Sequence, residues 1–203
     1  MSILKAVGLF MWAGVVYAND FLPQTFKADF EQEFVSTLKS KVKKGNGSIE
    51  YKYPGHIRFE TNTPSTVIYV SNNVQSWYYR APFVPEEQGE VTITNAKSGA
   101  TPFTKFFDAL KNGLTSNAQY AVEKKEDHIN LAFTESASKE YGIKKAELFF
   151  NNKSQVFKDL TTIEITFNDN KTSKLKFNNL KTNETLAADR FNFALPANTK
   201  VVD

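Results

Sequence analysis

The chain has two histidines, His56 and His128, far apart in sequence, and no cysteine. A structural or catalytic metal centre draws three or four ligands from His, Cys and carboxylates at close spacing. No such cluster is legible, so neither a metal nor any other cofactor is expected. No serine sits in a nucleophile-elbow pattern and no glycine loop has phosphate-cradling spacing. Glu86-Glu87 reads as a charged loop. Catalysis is not expected. The residues whose spacing carries information are apolar and aromatic. Gly47, Ile49, Tyr51 and Tyr53 alternate with Ser48, Glu50 and Lys52, and Ile57 and Phe59 alternate with His56, Arg58 and Glu60. A period of two describes strands with one wet face and one greasy face. The chemistry on offer is the burial of something apolar.

Strands must position these residues, and strand signals recur almost end to end. They predict elements at 26–35, 47–53, 57–62, 66–71, 74–80, 91–94, 120–122, 129–133 and 146–150, then 156–167 and 173–180. Asn/Asp/Gly-rich breaks such as Asn72-Asn73, Asn151-Asn152 and Asn168-Asp169-Asn170 punctuate them as a meander. The lysines at 39, 41, 43 and 44 read as a solvated hairpin running into a turn at Gly45-Asn46-Gly47. Arg58, beside Glu60, reads either as a solvated residue of the wet face or as a partner contact. One segment breaks the period. Thr101-Pro102 is an N-cap followed by Pro at the first helical position, Phe103, Phe106, Phe107 and Leu110 recur at helical spacing, and Asn112-Gly113 ends the run. A second short helix is predicted at Thr185 to Arg190, before a closing strand from Phe191 to Leu195. The stretch from Thr134 to Gly142 is ambiguous. The fold class is mainly β: an unclosed antiparallel barrel with a short helical lid over its concave apolar face.

At 203 residues, with 41 % hydrophobic content and 18 Phe, the chain suits one domain with a large aromatic interior. The first 18 residues look like an export signal: Lys5 in a short n-region, an apolar run from Ala6 to Val16, and Val16-Tyr17-Ala18 before the cut. That gives a signal peptide over 1–18, a single domain over 19–203 and export as the expected fate. Removal of the signal takes Lys5 from the 25 basic residues, leaving 24 against 22 acidic, and this mild net of +2 argues weakly against a dedicated nucleic-acid surface.

Several segments occur together and in order. They are Thr25 to Gln32, Gly47 to Phe59 with Pro54-Gly55-His56-Ile57-Arg58-Phe59 at its centre, Pro64 to Asn73, Trp77-Tyr78-Tyr79, Gln88, Thr101-Pro102-Phe103 and Phe191 to Pro196. In this the chain resembles the LolA family, periplasmic carriers of outer-membrane lipoproteins in Gram-negative bacteria. The resemblance implies a concave lipid-binding face of Phe26, Phe30, Ile49, Tyr51, Ile57, Phe59, Tyr69 and Trp77, and a lid presenting Phe103, Phe106, Phe107 and Leu110. Many members carry a basic latch residue before the Pro of the third-strand turn; here that position is Tyr53, a phenol able to hydrogen-bond a lid carbonyl. The segment from Asn19 to Thr25 leaves little room for an N-terminal lid helix. The implied partners are acylated lipoproteins as cargo, an ABC-type release complex in the inner membrane and a lipid-anchored acceptor at the outer membrane. The carrier is expected to be a periplasmic monomer. Two other readings fit the same residues: an apolar-ligand or envelope-stress-sensing domain on the same half-barrel, and an exported interaction scaffold with a permanently dry core.

Overall fold

The computed structural model describes residues 21–35, 42–84 and 86–202. The expected signal peptide, its cleavage site and the first two residues of the expected domain lie outside the described residues. Twelve strands among the described residues form one sheet. The first six are β1 (Thr25–Val35), β2 (Val42–Lys52), β3 (His56–Thr63), β4 (Val67–Asn72), β5 (Gln75–Arg80) and β6 (Gly89–Asn95). The helices α1 (Ala96–Gly99) and α2 (Pro102–Ala109) follow, α2 continuing into a 3-10 turn at Leu110–Asn112. The second half runs β7 (Tyr120–Lys124), β8 (His128–Phe133), α3 (Glu135–Tyr141), β9 (Ile143–Phe150), β10 (Leu160–Phe167), β11 (Thr172–Thr182) and β12 (Thr199–Val202).

The spatial order is β12-β6-β5-β4-β3-β2-β1-β11-β10-β9-β8-β7. Two antiparallel meanders, β1 to β6 and β7 to β11, are therefore sewn together by β1 against β11. Only β12 runs parallel to its neighbour, β6. The edges β7 and β12 do not pair, so the barrel is unclosed. Because α2 is the covalent link between the two meanders, it crosses from one to the other over the concave face. Its ends follow local chemistry. The Thr101 hydroxyl accepts from the Thr104 amide at 3.3 Å, Pro102 occupies the first turn, and Gly113 leaves the helix at φ +78°. The ambiguous stretch after Thr134 is α3, capped by the Thr134 hydroxyl and stopped by Gly142 at φ +74°.

Several expected boundaries are corrected. Gly45-Asn46-Gly47 is not a turn but the interior of β2, with the ladder to β3 shifting between Asn46 and Gly47. Gly47 is required there for space: it lies opposite Phe30, and a Cβ would collide with that ring and with the Glu60 carbonyl. The strand expected at 156–167 begins at Leu160, after a 3-10 turn at Phe157–Asp159. The helix expected at 185–190 is a single 3-10 turn, Ala188–Phe191, and 192–195 form no strand; the closing strand is β12.

The face expected to be wet is partly covered. The C-terminal segment folds over the convex side of β2 to β6, with Phe191 buried edge-on against His56 and Phe193 against Tyr79. The Arg190 guanidinium bonds both oxygens of Glu50 at 2.9 Å. Arg58, expected to be solvated or to meet a partner, instead pairs with Glu60 and donates to the Arg190 carbonyl at 3.4 Å. Alternation located these residues on the convex face but could not reveal that a segment far away in sequence returns to cover them.

Candidate functional site

The concave face is one continuous apolar cluster. Phe26, Ile49, Tyr51, Ile57 and Tyr69 come from the first meander; Ile129, Leu131, Leu148, Ile163 and Leu175 come from the second. Helix α2 turns Phe106 and Phe107 into it, and the 3-10 turn that continues the helix adds Leu110, each fully buried. Phe107 meets Phe26 edge-on at 5.0 Å and Tyr51 at 5.5 Å, and Phe26 stacks on Tyr51 at 5.2 Å. Phe30 stacks on Phe59 at 4.6 Å, and Phe59 stacks in turn on Phe103 at 5.4 Å. Such ring pairs add to plain area burial.

Trp77 is not part of this face. It pairs across the ladder with Val70, while Tyr69 pairs with Tyr78, so Trp77 points to the convex side. There it joins Val70, Tyr79 and Val91 in a second cluster, packed by Phe193. Parity holds within a strand but is reset by the turn at Asn72-Asn73, which sequence alternation alone does not carry across.

Phe103 is half-buried at the open end of the cluster, reaching Phe167 across the sheet at 6.4 Å. Apolar troughs open on either side of its ring. One, of about 470 Å³, is lined by Phe34, Phe59, Val67, Tyr69 and Tyr78; the other, of about 510 Å³, by Gln32, Phe34, Phe167 and Ser173.

The polar contacts that fasten α2 were not legible from spacing. The Tyr51 phenol donates to Asp108 Oδ1 at 2.5 Å, and the Gly55 amide donates to the same oxygen at 2.9 Å. Burial, followed by the Asp108 charge and the hydrogen bond to it, pushes the Tyr51 hydroxyl far above the ordinary phenol range. Tyr120 donates to the carbonyls of Ala109 and Gly113 at 3.2 and 2.7 Å, closing the helix C-terminus, and burial raises its pKa too. The available signal for Asp108 was that it is the one carboxylate in α2. Tyr53 packs against the main cluster, and the Lys111 ammonium lies 5.5 Å over its ring. His56 bonds the Pro54 carbonyl and His128 lies between Asp127 and Glu147, so the two are not brought together. No group of three or more His, Cys, Asp or Glu suited to a metal ion occurs among the described residues.

The family model of the outer membrane lipoprotein carrier protein LolA matches residues 23–194. The chain belongs to the LolA family. It is 28 % identical over 178 residues to the outer-membrane lipoprotein carrier protein of Haemophilus ducreyi, covering 88 % of this chain and 78 % of that one. Against the protein of the same name from Leptothrix cholodnii it is 28 % identical over 193 residues, covering 93 % and 85 %. Among solved structures, an uncharacterised conserved protein from Thermus thermophilus shares the fold, with a TM-score of 0.51 at 12 % identity over 90 % of this chain and 91 % of that one. In this LolA-family chain the expected latch position is Tyr53, in the turn between β2 and β3, whose ring faces the ammonium of Lys111, just beyond α2. The carboxylate lock between Asp108, Tyr51 and Gly55 lies beside it.

Proposed function

We propose that this chain is a periplasmic carrier that holds the acyl chains of outer-membrane lipoproteins between its concave sheet face and α2. The observation that carries the reading is the stopper itself. Phe106, Phe107 and Leu110 lie fully buried in a hollow that the unclosed sheet cannot seal on its own, and apolar troughs open beside Phe103. Each methylene exposed to water costs about 0.8 kcal/mol, so a diacyl or triacyl anchor does not cross an aqueous compartment unaided. A helix that fills the hollow when it is empty exchanges self-burial for ligand burial. Net affinity then stays modest and release remains possible. A lining of rings and aliphatic chains has no directional preference, so one site serves many cargoes.

In this reading residues 1–18 are an export signal cut after Ala18, and 19–203 act as one monomeric domain. Loading comes from an ATP-driven release complex in the inner membrane and unloading goes to a lipid-anchored acceptor at the outer membrane. The permanently dry scaffold is disfavoured by the open troughs at the mouth. The test is mass spectrometry of protein purified from the periplasm, with co-purified acylated lipoprotein expected and an N-terminus at Asn19. A pair of engineered cysteines joining α2 to β2 or β3 completes it, since the native chain has none. Oxidation should block acyl loading and reduction restore it. Equal capture in both redox states, with the cross-link verified, refutes the moving helix.

A further inference from the structure

The loop of residues 81–88, between β5 and β6, carries a feature that acyl binding does not use. Phe83 is 89 % exposed, the most exposed large apolar side chain among the described residues, and Val84 beside it is 49 % exposed. The loop rises at the mouth of the hollow. Val67 pairs with Arg80 and the Ala81 amide donates to the Thr66 carbonyl at 3.0 Å, which sets the loop beside the turn between β3 and β4. That turn rims the 470 Å³ trough, and Tyr78, just before the loop, lines the same trough.

The tip stands on a fixed foot. The Glu87 amide donates to the Val84 carbonyl at 3.0 Å and the Gly89 amide to the Asn198 carbonyl at 3.2 Å. The Asn198 side chain donates to the Glu87 carbonyl and accepts from Gln88. Pro82 precedes the apolar pair in sequence and Pro85 follows it. Bonds at the foot limit the backbone freedom that the loop loses on docking, which favours its use as an anchor. Its charges point to one kind of partner. Arg80 and Glu90 cancel each other in an ion pair. Glu86 and Glu87 are exposed and neither side chain pairs with a described residue.

We infer that this loop docks a protein partner at the mouth of the hollow, one offering an apolar pocket for Phe83 and Val84 bordered by Lys or Arg side chains that meet Glu86 and Glu87. A bilayer is the poorer fit, because unpaired carboxylates beside the tip are repelled by anionic lipid, whereas a basic rim gains from them. The inference rests on the carrier reading, which explains why a partner must meet the mouth: it delivers or receives the cargo there.

The experiment uses the mature protein and the variants Phe83→Glu and Glu86→Lys/Glu87→Lys, each checked for an unchanged melting temperature. Spheroplasts of the source organism, labelled with radioactive palmitate, report partner-driven release of lipoprotein into the supernatant. A fluorescent fatty-acyl probe in solution reports the hollow without any partner. Sedimentation with phosphatidylethanolamine–phosphatidylglycerol vesicles reports a bilayer contact. Both variants should slow spheroplast release tenfold or more, take up the probe like wild type and leave the vesicles unbound. Equal release by wild type and Phe83→Glu overturns the inference, as does Phe83-dependent sedimentation of wild type with protein-free vesicles. Wild type that takes up no probe overturns the carrier reading, and the docking inference with it.

Discussion

Replacing Tyr51 by Phe removes one hydroxyl from the seam between β2 and α2 and leaves the ring, which is fully buried against Phe26 and Phe107. What is lost is the hydrogen bond to Asp108. Bonds to a charged acceptor contribute about 1.5–3 kcal/mol. Asp108 is only half-buried and keeps the Gly55 amide, so water replaces part of the loss and the lower figure applies. For a chain of this size each kcal/mol moves the melting temperature by about 2–4 °C, so a fall of roughly 3–6 °C is expected by calorimetry. The same 1.5 kcal/mol, if it holds α2 over the hollow, raises the open population about tenfold. Stopped-flow uptake of a fluorescent fatty-acyl probe should then quicken by up to about tenfold in Tyr51→Phe. The pH dependence has a definite sign. The folded-state pKa of Tyr51 is raised, so its contribution is complete below the ordinary phenol value of about 10 and is lost as pH climbs beyond it. Wild type should therefore lose stability above about pH 10 more steeply than Tyr51→Phe. A melting temperature within about 1 °C of wild type, together with unchanged uptake, refutes the lock.

Gly47→Ala should cost about 1–3 kcal/mol, because the new methyl meets the Phe30 ring and the Glu60 carbonyl; urea denaturation checks this, and a neutral result means that the strand can shift. Phe106→Glu drives an unpaired carboxylate into a fully apolar site and should abolish cooperative unfolding or acyl-probe uptake; retention of both shows that the helix face is assigned wrongly. On the convex side, Phe191→Ala should cost about 3 kcal/mol or more, whereas Arg190→Ala, whose side chain is nearly half exposed, should cost under about 1 kcal/mol. The reverse order by thermal melting would mean that the ion pair, not the buried ring, holds the C-terminal segment down.

Alternation and capping are local rules, and they made much of this protein readable without coordinates. Ile49 shares a face with Tyr51, and Ile57 with Phe59, because a strand has period two, and Thr101-Pro102 opens α2 because an N-cap needs nothing beyond its own turn. The family, too, was legible in the order of short segments from Thr25 to Pro196. What local rules lack is any memory across a turn. Trp77 and Tyr69 looked equivalent, yet the register through Asn72-Asn73 sends them to opposite faces. Gly45-Asn46-Gly47 had the composition of a turn, but pairing with β1 and β3 draws it into a strand, where Gly47 makes room for Phe30. The Tyr51–Asp108 lock and the cover that Phe191 and Phe193 place over the convex face join residues distant in sequence. Only the closing of the chain on itself brings such groups within hydrogen-bond or ring-contact range, so tertiary packing alone decides how the helix is fastened.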